Sequence, residues 1–298
     1  MMAREARSKE GAMANDRSTK AGKVWFITGT SKGFGRVWAE AALQRGDKVV
    51  ATARDPKSLD ALVASHGAAV LALTLDVTDP SAVAAAVQRG REHFGRLDVV
   101  LNNAGYGLFG MVEEVTPEQA RAQMETNFFG ALWVTKAALP ILREQWSGHI
   151  IQVSSIGGVH AFPMLGLYHA SKWALEGLSQ SLAAEVEGFG IKVTLVEPGG
   201  FDTDWRGASA VRATELPIYD GVRERRFAAL GAIASKPGDP KATGAAILEI
   251  VDAEKPPLRV FFGAAPLGMI KPEYERRLAT WEAWNELSRA AQGAPVPR

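Results

Sequence analysis

The amino-acid sequence predicts an α/β fold in which a doubly wound parallel β-sheet is sandwiched between helices. Short apolar runs alternate with helical stretches, and each run is followed by small, polar or chemically active residues. Buried parallel strands have this composition, and right-handed crossovers bring their carboxyl ends to one edge of the sheet. Six such strands are predicted, at Lys23–Thr28, Asp47–Ala53, Ala69–Asp76, Leu97–Leu101, Gly148–Ser154 and Ile191–Glu197.

Helices fill the intervals between these strands. The first follows Gly35 and ends at Gly46, where glycine is typical of a helix C-terminus. The other predicted elements are helices at Pro80–Phe94, Pro117–Trp146, Tyr168 to about Val186, Tyr219–Leu230, Pro240–Ala253 and Pro272 to about Ala291, and a strand at Leu258–Gly263. Because no repeat or linker interrupts this pattern, we expect a single domain over residues 23–298, with a substrate loop at about 199–230 and a C-terminal extension at about 240–298.

The composition excludes several classes of protein. The 298 residues carry a net charge of +1, which provides no strong field for nucleic acid or an anionic membrane. Cysteine is absent and the five histidines lack ligand spacing, so no metal site is predicted, and the chain fits a reducing compartment such as the cytoplasm. No apolar run is long enough to span a membrane. Residues 1–22 are polar and charged and predict a disordered tail without the apolar core of a signal peptide.

The first strand ends in a glycine-rich turn, T-G-T-S-K-G-F-G, that leads into a helix. Unpaired backbone N–H groups and the helix dipole at such a helix N-terminus attract phosphate, and glycines allow its close approach. The spacing G-x-x-x-G-x-G departs from the G-x-G-x-x-G dinucleotide pattern. The turn still predicts a Rossmann-type nucleotide site. Its candidate cofactor contacts are Gly29, Ser31, Lys32, Gly33, Phe34 and Gly35.

The end of the second strand bears on which nucleotide would bind. The position where an acid would hold the adenosine ribose is Ala53, and Arg54 follows it. A guanidinium suits a 2′-phosphate and Lys32 could supply a second cation, so NADP is favoured over NAD. NAD stays open, because Asp55 could bind the ribose. We assign Asp55 a structural role instead, because Asp55-Pro56 is typical of a helix N-cap followed by proline. The alternative interpretation, which is less favoured, is that both cations are solvated surface charges.

A serine, a tyrosine and a lysine follow the fifth strand. Tyr168 and Lys172 are four residues apart and share a helix face, and Ser155 lies at the strand end. A phenol with a pKa near ~10 is a poor base at neutral pH. An ammonium about 4 Å away, at an effective dielectric of about 20, would favour the phenolate by about 4 kcal/mol, or about three pKa units. The three side chains predict a proton-transfer site, although Y-x-x-x-K by itself is more typical of an exposed helix.

Together these motifs resemble the classical short-chain dehydrogenase/reductase family over roughly residues 23–203. The shared motifs are T-G-x-x-x-G-x-G at Thr28–Gly35, N-N-A-G at Asn102–Gly105, Asn127 in a helix, Ser155, Y-x-x-x-K at Tyr168 and Lys172, and P-G at Pro198 and Gly199. The resemblance implies a Rossmann-type fold and hydride transfer with a nicotinamide cofactor, which supplies the hydride chemistry.

The resemblance also implies roles for individual residues. Tyr168 would be the general acid/base, Lys172 would lower its pKa and bind the nicotinamide ribose, and Ser155 would polarise the substrate carbonyl, with Ser154 as the alternative if the register slips by one. Asn127 would hold a water of a proton relay. The further cofactor contacts expected from these motifs are Asp76, Val77, Asn103, Ala104, Gly105, Pro198, Gly199 and Thr203.

We therefore expect an NADP(H)-dependent oxidoreductase that acts on the CH–OH group of a hydrophobic secondary alcohol or reduces the matching carbonyl. The alternatives are a nucleotide-sensing protein without turnover, and an isomerase, epimerase or dehydratase on the same fold. A sensor would be expected to lose Tyr168 or Lys172, and both are present. The resemblance also implies a homodimer or homotetramer through the helices of Asn127 and Tyr168.

Aromatic and apolar residues near the strand ends predict a bulky hydrophobic substrate. The candidates are Tyr106, Leu108, Phe109, His160, Phe162, Met164, Leu165, Phe201 and Trp205. Ordinary core packing accounts equally well for each of them singly. The long segment from Gly199 to about Ala229 is typical of a lid over a site at the strand ends.

The last predicted helix carries an apolar stripe, formed by Leu278, Trp281 and Trp284 with Leu287 or Ala291. An apolar stripe on a helix normally faces the core, so we expect it to pack on its own domain. A subunit contact is the alternative, and contact with a membrane surface is disfavoured because the helix lacks a basic face.

Overall fold

The computed structural model describes residues 22–232 and 236–294. The tail predicted for residues 1–22 therefore lies outside the described residues, apart from Gly22. Seven parallel strands form the central sheet in the order β3-β2-β1-β4-β6-β7-β9, and a small second sheet pairs β5 with β8. The strands are β1 (Val24–Ile27), β2 (Lys48–Ala53), β3 (Val70–Thr74), β4 (Val99–Asn102), β5 (Leu108–Phe109), β6 (Gly148–Val153), β7 (Ile191–Pro198), β8 (Val211–Arg212) and β9 (Arg259–Phe262).

Helices cover both faces of the central sheet. They are α1 (Gly33–Arg45), α2 (Asp60–His66), α3 (Pro80–Phe94), α4 (Pro117–Met124), α5 (Gly130–Gln145), α6 (Gly166–Val186), α7 (Asp220–Ala232), α8 (Thr243–Asp252), α9 (Pro266–Ala283) and α10 (Asn285–Gln292). The strand order reverses between β1 and β4, which is the doubly wound arrangement. The predicted α/β fold is confirmed.

The two largest hydrophobic cores of the described structure follow from the alternation of side chains along β1. Trp25 and Ile27 point into one core and Phe26 into the other, and β1 is buried throughout. Successive side chains of a strand face opposite sides of the sheet, so a strand covered on both sides is apolar at every position. In the first core, Trp38 Nε1 of α1 donates a hydrogen bond to Thr243 Oγ1 of α8 at 2.8 Å. This bond joins the C-terminal extension to the nucleotide-binding half.

The common direction of the strands places the predicted motifs at one edge. Ile27 lies beside Ala51 of β2 and Leu101 of β4, so the segments after all three strands emerge together. Asp55 accepts a hydrogen bond from the Lys57 N–H at 3.0 Å and caps a short 3-10 turn. Its predicted capping role is confirmed.

The helix predicted over residues 117–146 is interrupted. A π-helical turn at Glu125–Phe129 separates α4 from α5. A π turn inserts one residue into the helical repeat and is frequent at functional sites. The apolar periodicity is helical on both sides of the turn, so the sequence pattern did not reveal it. The turn carries Asn127, which is fully buried.

The C-terminal helix begins at Pro266, six residues before the predicted start at Pro272. Proline suits the first helical turn, where its missing N–H has no partner, and Pro266 is the proline that occupies this position. The apolar stripe does not pack on its own domain, so that expectation is wrong. Its four large side chains are more than half exposed in the described structure: Leu278, Trp281, Trp284 and Leu287. Among the described residues, no helix combines the length and apolar character needed to cross a bilayer.

Candidate active site

A cavity of about 900 Å³ lies at the carboxyl edge of the central sheet. It extends from the glycine-rich turn after β1 to the segment after β7, as expected for a ligand site in an open parallel sheet. Nearly all the predicted cofactor contacts share its wall. Those that line it are Gly29, Ser31, Lys32, Gly33, Phe34, Arg54, Asp76, Val77, Asn103, Ala104, Gly105, Tyr168, Lys172, Pro198, Gly199 and Thr203.

The glycine-rich turn is held by the N-N-A-G segment. Asn103 Nδ2 donates hydrogen bonds to the carbonyl oxygens of Thr28 and Gly29 at 2.9 and 3.0 Å. Gly29 and Gly33 adopt φ of 69° and 60°, which glycine reaches without steric cost. Gly35 lies behind the described lining, and a Cβ there would approach Asn103 Nδ2 to 2.5 Å. Gly35 therefore allows the close contact that shapes the turn.

The two cations predicted to bind a 2′-phosphate, Arg54 and Lys32, differ in their ion pairing. Arg54 lies at the end of β2, exposed, and lines the cavity. Burial raises the pKa of Tyr106, and the charge of Arg54 partly opposes this shift. Lys32 also lines the cavity, but its ammonium forms an ion pair with Asp204 of the segment after β7. Arg54 is therefore the cation more accessible to an anion at this end.

Ser155, Tyr168 and Lys172 line the cavity together. Ser155 begins a 3-10 turn, and its Oγ accepts a hydrogen bond from the Gly157 N–H at 2.9 Å. The Tyr168 side chain is buried on α6, close enough to Ser155 for that residue to influence its pKa. Lys172 Nζ lies 5.9 Å from the centre of the Tyr168 ring and donates to the Val153 carbonyl at 2.8 Å. The strand end and the helix thus bring a hydroxyl, a phenol and an amine to one place.

Burial controls the protonation of this group. It raises the pKa of Tyr168 to about 12, and the hydrogen bond with Ser155 opposes the rise. It lowers the pKa of Lys172 to about 8, and the charge of Glu176 opposes the fall. Within the described part of the chain, the structure does not show the lowering of the Tyr168 pKa that was expected from Lys172. Loss of water disfavours both charged forms, and the amine is engaged by the Val153 carbonyl.

Asn127 lies behind the cavity rather than in its described lining. Its Oδ1 accepts a hydrogen bond from the Tyr106 N–H at 3.0 Å, and its Nδ2 donates to the Tyr106 carbonyl at 3.0 Å and to Ser171 Oγ at 3.2 Å. The side chain therefore connects the π-helical turn to the N-N-A-G segment and to α6. It fixes the backbone beside Gly105, where a Cβ would lie 3.6 Å from Lys172 Nζ.

Aromatic residues form the other end of the cavity. The Trp205 ring lies 5.0 Å from the Tyr168 ring and 5.1 Å from the Phe109 ring. The predicted substrate residues that line the cavity are Tyr106, Phe109, Phe162, Met164, Leu165, Phe201 and Trp205.

Two predicted substrate residues lie outside the described lining. Leu108 is fully buried on β5, beneath the wall. His160 stands behind Phe162, with ring centres 5.7 Å apart, and is near Glu273 and Arg277 of α9. His160 therefore packs behind Phe162 and does not form part of the described cavity wall.

The structure adds residues that the sequence analysis did not single out. They are Thr126, Arg206, Arg212, Arg226 and Phe227, all of which line the cavity. Four of them belong to the long segment after β7, which was predicted as a lid of mixed charge. The clustering of arginines there was the available signal, but only the fold shows which of them face the cavity.

The residues present fit a nicotinamide dinucleotide. The glycine-rich turn leaves backbone N–H groups accessible for a pyrophosphate at the start of α1, and the cavity continues to Tyr168. Arg54 and Lys172 line this same cavity. Among the described residues, no group of three or more carboxylate or histidine side chains is placed to hold a metal ion.

Comparison with known proteins agrees with this geometry. The family model for short chain dehydrogenases matches residues 23–212. The oxidoreductase BOA17 of Botryotinia fuckeliana is 44% identical over 278 residues, which cover 90% of this chain and 99% of that protein. A 3-ketodihydrosphingosine reductase of Bacteroides thetaiotaomicron is 39% identical over 244 residues, which cover 81% of this chain and 88% of that protein.

A solved structure matches over most of the fold. The short-chain dehydrogenase of Streptomyces avermitilis has a TM-score of 0.83 and 39% sequence identity, with 90% of this chain and 98% of that chain covered. The family match includes the glycine-rich turn, the N-N-A-G segment, Ser155, Tyr168 and Lys172. The chain therefore belongs to the short-chain dehydrogenase/reductase family of oxidoreductases.

Proposed function

We propose that the protein is an NADP(H)-dependent oxidoreductase that interconverts a hydrophobic carbonyl compound and its secondary alcohol, with Tyr168 as the general acid/base. One observation carries the proposal. Ser155, Tyr168 and Lys172 meet in the wall of the cavity whose far end is formed by the glycine-rich turn and Arg54. A hydride donor anchored at one end would thus reach a substrate oxygen held at the other.

The side chains would divide the proton chemistry among them. The bound nicotinamide supplies or accepts the hydride. Ser155 would donate a hydrogen bond to the substrate oxygen, and Tyr168 would transfer a proton to it. Because burial raises the pKa of Tyr168 to about 12, the phenol is protonated at neutral pH, which is the form that carbonyl reduction requires. The Lys172 amine, when protonated, would stabilise the phenolate left behind.

Arg54 supports the choice of NADP. It lines the cavity at the end of β2, and a planar guanidinium matches a phosphate in charge and geometry. The neighbouring carboxylate, Asp55, caps the Lys57 N–H, so it is already engaged in the local turn. Lys32 would contribute to the phosphate only if its pair with Asp204 opened.

We further propose that the protein works in the cytoplasm as a homodimer or homotetramer. The helices of Asn127 and Tyr168 are the expected contact, and Trp173 on α6 is 39% exposed. The exposed stripe on α9 and α10 offers a second apolar surface. Light scattering tests this part of the proposal, and a single species at monomer mass would contradict it.

The decisive experiment is turnover of a carbonyl panel with NADPH and with NADH. Aromatic, steroidal and aliphatic ketones would be compared for the wild type, Tyr168→Phe and the matched control Tyr274→Phe, whose ring is 42% exposed on α9. Loss of a general acid lowers kcat at least about 10²-fold, so Tyr168→Phe should be nearly inactive while Tyr274→Phe keeps wild-type activity.

Nicotinamide fluorescence would show whether each variant still binds the cofactor. Retained binding with lost turnover in Tyr168→Phe supports the acid/base role. A Tyr168→Phe variant as active as the wild type would refute that role. Cofactor binding without turnover of any panel member would favour the nucleotide-sensing alternative.

A further inference from the structure

Three arginines surround the aromatic end of the cavity. Arg206 and Arg212 come from the segment after β7, and Arg226 comes from α7. Arg212 Nη2 donates a hydrogen bond to the Arg206 carbonyl at 3.0 Å, which holds these two residues side by side. Burial, and then the charge of Arg206, lower the pKa of Arg226. All three side chains line the same cavity, and we call them the arginine rim.

The arginine rim lacks carboxylate partners within the described residues. No Asp or Glu oxygen lies within 4.0 Å of these three guanidinium groups there, whereas Arg223, on the same helix as Arg226, binds Glu114, Glu215 and Asp220. Like charges held together without counterions repel one another, so an added anion would be favoured at this place.

Aromatic walls connect the arginine rim with the proposed site of proton transfer. The Arg212 guanidinium lies 4.8 Å from the centre of the Phe109 ring, and Phe109 contacts Trp205, which contacts Tyr168. Elsewhere in the lining, Arg226 lies 4.2 Å from the centre of the Phe162 ring. A ligand with its oxygen at Tyr168 would thus pass between apolar walls before it reached the cations.

We propose that the arginine rim binds the anionic end of the substrate, so that the substrate is an amphipathic carbonyl compound with an apolar body and a terminal carboxylate or phosphate. The inference rests on the proposed function and deepens it, because it names the substrate class. Guanidinium groups bind both anions through paired hydrogen bonds, and stacking on Phe109 and Phe162 orients their forks. A ligand with a terminal ammonium would be repelled.

Binding without turnover tests the arginine rim directly. Octanoate, octyl phosphate, octanol and octylamine share one chain length and differ in the end group, and calorimetry would compare them with NADP at saturation, which keeps Arg54 occupied. The variants are Arg212→Gln with Arg226→Gln, and the matched control Arg225→Gln, an exposed arginine of α7 outside the described lining.

We expect at least one anion to bind about tenfold more tightly than octanol, because hydrogen bonds to charged groups have about this strength. The double variant should lose that preference, and Arg225→Gln should keep it. The relative affinities of octanoate and octyl phosphate distinguish the two anions. Equal binding of the anions and octanol, or a preference that survives in the double variant, would overturn the inference.

Kinetics separate this inference from the proposed function. An oxodecanoate with its ketone next to the terminal methyl group would be compared with its methyl ester, which removes only the charge. A lower KM for the acid that rises in the double variant supports both proposals. If the acid and the ester are reduced with the same KM, the inferred anionic substrate class is refuted, but the proposed reaction is not. Selective binding of octanoate without reduction of either ketone would leave the arginine rim supported and contradict the proposed reaction.

Discussion

Replacing His149 with glutamine should remove a specific source of acid sensitivity from the fold. His149 lies on β6 and is buried, and its Nε2 is 2.9 Å from Thr194 Oγ1. The Thr194 hydroxyl donates its own hydrogen to the Pro257 carbonyl at 2.8 Å, so it must accept from His149. The imidazole is therefore the neutral form with hydrogen on Nε2, and Nδ1 has no partner in the described structure.

The magnitude follows from the difference between the folded and unfolded pKa values. Burial, followed by the charges of Lys192 and Lys23, lowers the pKa of His149 from 6.5 to about 3. Since the folded pKa is depressed, the unfolded chain binds the proton first, and stability is lost as the pH falls below about 6.5. Between pH 7 and pH 5, the cost is about 2 kcal/mol in the free energy of unfolding, at about 1.4 kcal/mol per pH unit.

The assay is urea unfolding of the wild type and His149→Gln at pH 7 and pH 5. A glutamine amide can still donate to Thr194 Oγ1, and it does not titrate. The difference in the free energy of unfolding between wild type and variant should shift by about 2 kcal/mol in favour of the variant at pH 5. His93→Gln, at an exposed histidine, is the matched control. If the free energies of unfolding of wild type and variant differ by the same amount at pH 7 and pH 5, His149 is not a source of the acid sensitivity.

Three further perturbations test other parts of the structure. Arg54→Asp should raise the KM for NADPH about tenfold or more and spare that for NADH, because a phosphate contact is replaced by repulsion; an unchanged NADPH to NADH ratio of kcat/KM would contradict the assignment. Gly35→Ala should weaken cofactor binding in fluorescence titrations, because the added Cβ would displace Asn103. Wild-type cofactor affinity in this variant would show that the close contact between Gly35 and Asn103 is not needed for binding. Burial and the charge of Glu176 raise the pKa of Glu197, so the folded protein keeps this proton to a higher pH than the unfolded chain does. The resulting stabilisation is present at low pH and is lost as the pH rises. Between pH 5 and pH 8, the free energy of unfolding should therefore fall less for Glu197→Gln than for the wild type. Equal falls for the two proteins in urea unfolding would contradict this expectation.

Features that depend on neighbouring residues in the chain are predicted well from the sequence, whereas features that depend on distant residues are not. The chain order of the strands and the glycine-rich turn follow local rules, since apolar runs form strands and glycine permits positive φ. The sequence likewise placed Asp55 as a cap, because capping depends on residues two or three positions away. By contrast, His160 follows a predicted strand end like Phe162, yet only Phe162 is part of the described cavity lining.

The same division applies to electrostatics. The spacing of Tyr168 and Lys172 on one helix face is local, and the structure places them together. Their pKa values depend on burial by the strands and on the Val153 carbonyl, which lie outside the helix. The charge of Lys172 alone predicts a lowered pKa for Tyr168, whereas burial raises this pKa.

Sequence patterns alone predict the fold class, the edge of the sheet at which the cavity lies, and most of the residues that line the cavity. These features depend on periodicity, turn residues and the common direction of parallel strands. The folded structure was needed to show that Lys32 pairs with Asp204, that the C-terminal stripe is exposed, and that Arg212 of the arginine rim contacts Phe109. The two contacts join residues far apart in the chain, and the exposure of the stripe depends on which elements cover it, so no local pattern records them.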